Sequence, residues 1–368
     1  MSILYSRIGY RSAVVSVLLV YPLWYMFPAM RLNGAPTMAP TVYSDLIGLY
    51  NISQVLGEMK FPWSKVHSLN GITGEFLWTP QMLSQSIHYL AIWIFTRFLP
   101  EIFAANLYLL LSWVANGLLG YKLARKIGST AIGSLFTGLL LETVPFVREN
   151  LFNWIVYGNL VYFIGVIFCS LKYFEKPNSK NLIASFFMVG TGIFFDIYWL
   201  YFGLLTAIVF IVSSAITLKN YAILSKIFIV SLVSFFTSGL VFSKFVSLVQ
   251  RLGPNSRKLE ITEISWIDST NSNPVHIVFG NDRLYGHVGL TVFCLFLAAI
   301  FIAKQKSKIS LVAIFLLVIS LHLSLTTQSS MNVWGVRIPL PITYFRYLFP
   351  GVRFFERAGF VAVVFICL

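Results

Sequence analysis

Apolar runs of about 20 residues, most of them closed by lysine or arginine, recur along this chain and constrain its fold more than any other feature. A helix needs ~20 apolar residues to cross a bilayer. In lipid every backbone polar group must be bonded internally, which leaves only helices and closed barrels. The runs lack period-two alternation, which excludes barrel strands. Only 11% of the residues are charged, whereas a soluble domain carries roughly 25%. The expected fold is therefore all-α: a polytopic transmembrane helix bundle of about 9–10 spans, forming one membrane domain over residues 1–368.

The spans are read at residues 12–30, 101–121, 129–146, 153–171, 182–195, 198–218, 227–249, 286–303 and 309–325, and the apolar tail 358–368 opens a tenth that it does not complete. The first is read as a retained helix with its N-terminus in the cytoplasm, because it lacks the small-residue cleavage site of a signal peptide. Three polar segments then fall on the outer side: residues 31–100, expected to hold interfacial helices, and residues 250–285 and 326–357. The short inner loops carry Lys122, Arg125, Lys126, Lys304, Lys306 and Lys308, as the positive-inside tendency requires. Of the 13 acids, Glu175 alone falls in an inner loop. The chemistry is accordingly expected on the outer face. The net charge of +14 is assigned to topology and anionic lipid headgroups, with no nucleic-acid partner.

Ser44-Asp45 opens an amphipathic stretch over residues 46–59. An acid there is explained by helix capping, and a capping acid can also face a site. Thr79-Pro80 is read as the start of a second interfacial helix, with Gln81, Gln85 and His88 on one face. That stripe could bind a sugar or face headgroups. Glu142 and Asp196 are read near outer span ends, where ionisable groups are costly and mark function by default. Arg148-Glu149 forms a solvated pair or part of a site. The last outer segment is basic and aromatic, with Arg346, Arg353 and Arg357 able to clamp a phosphate. Cys169, Cys294 and Cys367 lack paired spacing and are expected to be small buried hydrophobes. The histidines show no metal-ligand spacing, and no Walker, GxGxxG or GxSxG motif occurs.

This layout resembles the GT-C superfamily of membrane glycosyltransferases, in a bacterial multi-pass branch. The resemblance rests on Ser44-Asp45 after the first span and Arg148-Glu149-Asn150 between the third and fourth. It also rests on the residues 284–290 (LYGHVGL) and 348–357 (LFPGVRFFER) before late spans. Two departures stand out: Asp45 has no paired acid, and the chain stops short of many relatives, as if truncated at its C-terminus. The resemblance implies transfer of a sugar from a polyprenyl-phosphate donor to a cell-envelope glycan, lipid or protein acceptor, with inversion. It makes Asp45 the general base and Glu149 a supporting acid or metal ligand. Arg353 or Arg357 would hold the phosphate, aided by a divalent cation (Mg or Mn) where one is used. The competing expectations are a surface-polysaccharide polymerase or ligase, and a flippase or transporter of lipid-linked sugars. A transporter should show polar groups at mid-span and broken helices; the span centres carry almost no charge, which counts against ion coupling.

Overall fold

The computed structural model describes residues 2–27, 85–144, 147, 159–196, 199–200, 203–208, 221–252, 294, 319, 330–333, 336–339 and 366. The chain forms two compact units, one chiefly Met1–Thr143 with Val147–Ile164 and the other chiefly Gly165–Cys367.

The first unit holds α1 (Ser2–Met26), α2 (Ser86–Thr96), α3 (Glu101–Lys126) and α4 (Ala131–Thr143). α1 starts well before the expected residue 12: no proline interrupts its first ten residues, and the single Gly9 is tolerated within the helix. Pro100 separates α2 from α3 with an extended ψ of 144°. α3 runs through Lys122 and Arg125, past the expected end at residue 121, because Lys and Arg are good helix formers and suit a helix C-terminus. Gly128 stops it with a φ of 92°, which a side chain would resist. The Arg125 side chain donates to Ser129 O at 2.6 Å across that turn.

α1 and α3 run antiparallel. The Tyr10 and Tyr121 hydroxyls share a hydrogen bond of 2.8 Å, while Tyr21 and Tyr25 pack edge-on against Trp113 at 5.6 and 5.4 Å. The C-terminal end of α1 and the start of α3 thus lie on the same side. The basic end of α3 lies with the first turns of α1, which carry Arg7 and Arg11 in sequence.

α3 and α4 approach closely through Gly117, Gly120 and Gly138, the small-residue contact that lets helix backbones meet in membranes. A Cβ on Gly138 would sit 2.8 Å from the Gly117 carbonyl oxygen and 3.1 Å from a Leu18 methyl. The first neighbour is backbone and cannot swing aside. Gly138→Ala is therefore expected to cost ~1–3 kcal/mol, the usual range for overpacking, read as a lowered midpoint of thermal unfolding in lipid nanodiscs.

The second unit contains α5 (Val161–Glu175, whose first residues belong to the first unit), α6 (Ser179–Gly190), α7 (Gly192–Phe195) and α8 (Tyr221–Leu252). The Asn178 side chain caps α6 by accepting from Asn181 N at 2.9 Å. The expected single span at 182–195 is interrupted at Thr191, dividing it into α6 and α7. α8 is inside-out by the standards of a soluble helix. Its buried stripe is Ile227, Ser231 and Ser234; its exposed stripe is Ile229, Val233, Phe236 and Leu240, the last two 64% and 66% exposed. The Ser234 hydroxyl donates to Phe186 O on α6. Small hydroxyl residues inward and large apolar ones outward is the pattern of a helix solvated by lipid.

Among the described residues two helical stretches, Glu101–Lys126 and Ser225–Phe245, are long and apolar enough to cross a membrane. The described residues are helical, as expected, apart from one short hairpin. β1 (Ser330–Val333) and β2 (Val336–Pro339) pair antiparallel, Val333 opposite Val336, inside the segment read as a polar loop. Trp334-Gly335 lies between them in sequence, and glycine at the second of two linking positions is a hairpin signal.

Candidate functional site

A single stripe of α3 gathers the polar groups of the first unit. Tyr108, Ser112 and Asn116 recur at four-residue spacing and so share one face; all three are buried. Asn159 meets them, donating from Nδ2 to Ser112 Oγ at 3.2 Å and to Tyr108 Oη at 3.4 Å. Since Tyr108 Oη accepts there, its proton is free to go to His88 Nδ1, the ring nitrogen it bonds. Asn116 Oδ1 accepts the Leu160 amide at 2.8 Å, and Asn159 Oδ1 accepts that of Val161 at 3.2 Å. These bonds satisfy donors at the start of α5, where a helix leaves its amides unpaired.

The neighbouring stripe of α3 carries Trp113, Gly117 and Gly120 toward α4. Trp113 Nε1 donates to the Glu142 carbonyl oxygen at 2.8 Å. The Glu142 side chain packs over Gly117, where any Cβ would collide with its carboxyl. Glu142 is 0% exposed, and neither carboxyl oxygen has a hydrogen-bond partner among the described residues.

This placement corrects the expectation for Glu142. Gly117 lies about 24 Å from the start of α3 and about 14 Å from its end, at 1.5 Å per residue. Glu142 is therefore well inside the bundle and not at an outer margin. The reason is the length of α4: its 13 residues span about 20 Å, so it reaches only part of the way along α3.

Of the predicted site residues, only His88 is described. Gln81, Asp45, Arg148, Glu149, Arg346, Arg353 and Arg357 lie outside the described residues. His88 does not sit at a headgroup surface; it is 0% exposed and bonded to Tyr108 on α3. Gln85, its expected companion, accepts from the Tyr89 hydroxyl at 2.8 Å. Asp196 is buried directly after α7, where the backbone turns extended (φ −176°, ψ 147°). Cys294 is exposed, contrary to expectation, Cys169 is half-buried, and Cys367 lies outside the described residues. Among the described residues no group of three or more His, Cys, Asp or Glu could hold a metal ion.

The sequence reading missed Tyr108, Ser112, Asn116 and Asn159. Their signal was present: four-residue spacing of polar groups within an apolar run. Attention to charge alone passed over it, because neutral amides and hydroxyls are tolerated in spans when they find each other.

Tyr108→Phe tests the cluster. Removing one hydroxyl takes a partner from both His88 and Asn159. The expected loss is ~1–3 kcal/mol of stability, measured by thermal unfolding in nanodiscs, with Tyr89→Phe near the surface as the mild control.

No protein-family model matches the chain, and no curated protein or solved structure does so either.

Proposed function

We propose that this chain is a multi-pass protein of the cell (inner or plasma) membrane, N-terminus in the cytoplasm, that transfers a sugar from a polyprenyl-phosphate donor to a cell-envelope acceptor on the outer face. The observation that carries this reading is the antiparallel packing of α1 on α3. It supports an arrangement in which the intervening stretch, with Asp45, is delivered beside one end of a helix bundle, where a lipid-anchored donor presents its phosphate. The basic residues at the other end support the orientation.

The chemistry is a single displacement. Asp45 takes the proton of an acceptor hydroxyl as its oxygen attacks the anomeric carbon. The bond to phosphate breaks on the opposite face, so the configuration inverts. Polyprenyl phosphate leaves with its negative charge held by Arg346, Arg353 or Arg357. Arg148 and Glu149 would orient donor and acceptor, with Gln81 on the sugar. His88, being buried against Tyr108, contributes to the scaffold and is withdrawn from the contact set.

The test is reconstitution of the full chain in liposomes holding a labelled polyprenyl-phosphate sugar and an envelope acceptor. Release of polyprenyl phosphate with single-sugar products supports the reading; products of graded chain length would instead identify a polymerase or ligase. The flippase reading is favoured by one observation, the buried polar groups together with the helix interrupted between α6 and α7. Movement of the labelled lipid between leaflets with no released polyprenyl phosphate would establish it instead.

A further inference from the structure

Glu142 is a buried acid that the transfer reaction does not use. An ionisable group inside a helix bundle of this kind normally pairs with another charge or with backbone groups. Glu142 does neither among the described residues: both carboxyl oxygens are without partners, and the residue is 0% exposed.

The surroundings define what could satisfy it. Its carbonyl oxygen is already engaged by Trp113 Nε1. Gly117 lies so close that even one methyl group would collide with the carboxyl. Among the described elements, those packed on α4 are α3 and α1. The charged residues of α3 are Glu101 at one end and Lys122, Arg125 and Lys126 toward the other. The titratable groups on the neighbouring stripe of α3 and on α2 are Tyr108 and His88, which bond each other, and Tyr89, whose hydroxyl bonds Gln85. α1 brings Tyr21 and Tyr25 around Trp113, Tyr10 near Tyr121, and Arg7 and Arg11 in its first turns. No described side chain supplies a hydrogen bond to the carboxyl. A metal cation would require several oxygens, and among the described residues no ligand group exists. An unpaired carboxylate removed from water costs far more than an unpaired neutral acid. One ligand meets all of these conditions.

We propose that Glu142 is a proton-binding site inside the α1–α3–α4 bundle, its carboxyl carrying one bound proton in the packed state. The step is simple addition: one proton joins one carboxylate oxygen to form an O–H bond, and nothing leaves. Proton loss creates a charge directly over Gly117. That charge requires water, and water requires α4 to separate from α3. Proton binding and closure of the glycine crossing are thereby linked. The inference goes beyond sugar transfer and stands whether or not Asp45 acts as a base.

Infrared spectroscopy of the full chain in nanodiscs reads the proton directly. A carboxylic-acid C=O stretch is expected at about pH 7.5, where solvated carboxylates are ionised. It should shift on [13C]glutamate labelling of the unsubstituted protein and disappear in Glu142→Gln. A spectrum without that band, a band that ignores glutamate labelling, or one retained in a folded Glu142→Gln protein would overturn the proposal. The isotope experiment needs no variant, so a poorly folding Gln protein does not weaken it.

Discussion

Asp45→Asn is expected to leave the protein folded in the membrane and to lower sugar transfer by ~10²–10⁴-fold, the usual contribution of a positioned acid or base. The choice of asparagine separates the two explanations of this residue. As a helix N-cap, asparagine is about as good as aspartate, so a purely capping Asp45 predicts full activity in the variant. As a general base, asparagine cannot accept the proton from the acceptor hydroxyl, and the loss should fall on kcat with KM little changed. Alanine would confuse the matter, because it also removes the cap, at ~0.5–2 kcal/mol. The measurement is initial-rate transfer in proteoliposomes, with protein amount fixed by quantitative blotting. Unchanged transfer by Asp45→Asn would remove this residue from the mechanism and return it to the cap.

The helices themselves were legible because apolar run length is a strong signal in a chain with so few charges. Spans were read where α3, α4, α6 and α8 stand, with boundaries off by a few residues. Two of those errors share a cause. Runs were ended at the first lysine or arginine, yet α3 continues through Lys122 and Arg125 to the glycine that can adopt a positive φ. Similarly, α8 begins six residues before its apolar run and outlasts it. Charge marks where a helix leaves the hydrocarbon; backbone conformation decides where it stops.

The depth of a residue was far less legible. Glu142 stands four residues before the end of its apolar run, which suggested an outer margin. Depth depends on how far α4 has climbed along α3, and that is fixed by the glycine crossing at Gly117, Gly120 and Gly138, a tertiary feature. His88 shows the same limit. Its seven- and three-residue spacing from Gln81 and Gln85 indicated a polar face, but could not reveal that Tyr108 waits on α3 to bury it. The hairpin at Ser330–Pro339 was hidden for a different reason: in a chain dominated by helices, two four-residue strands leave only a short local trace.

Trp113→Ala should produce the largest stability loss in the first unit. The indole is fully buried, meets Tyr21 and Tyr25 edge-on, and donates to the Glu142 carbonyl. It is thus the side chain on which α1, α3 and α4 all converge. In a soluble protein truncation of a buried aromatic residue costs ~3–5 kcal/mol. Between helices in lipid the transfer part of that cost shrinks, because lipid is as apolar as the interior, while the lost packing remains. The expected value is therefore near the lower end, about 3 kcal/mol. Trp113→Phe keeps ring contacts with both tyrosines and removes only the indole N–H. Its cost should fall to ~0.6–2 kcal/mol, the range for a hydrogen bond between membrane helices. Thermal unfolding in nanodiscs gives both values. If phenylalanine proves as damaging as alanine, the bond to the end of α4, and not the aromatic packing, holds these helices together, and Glu142 owes its position to that bond.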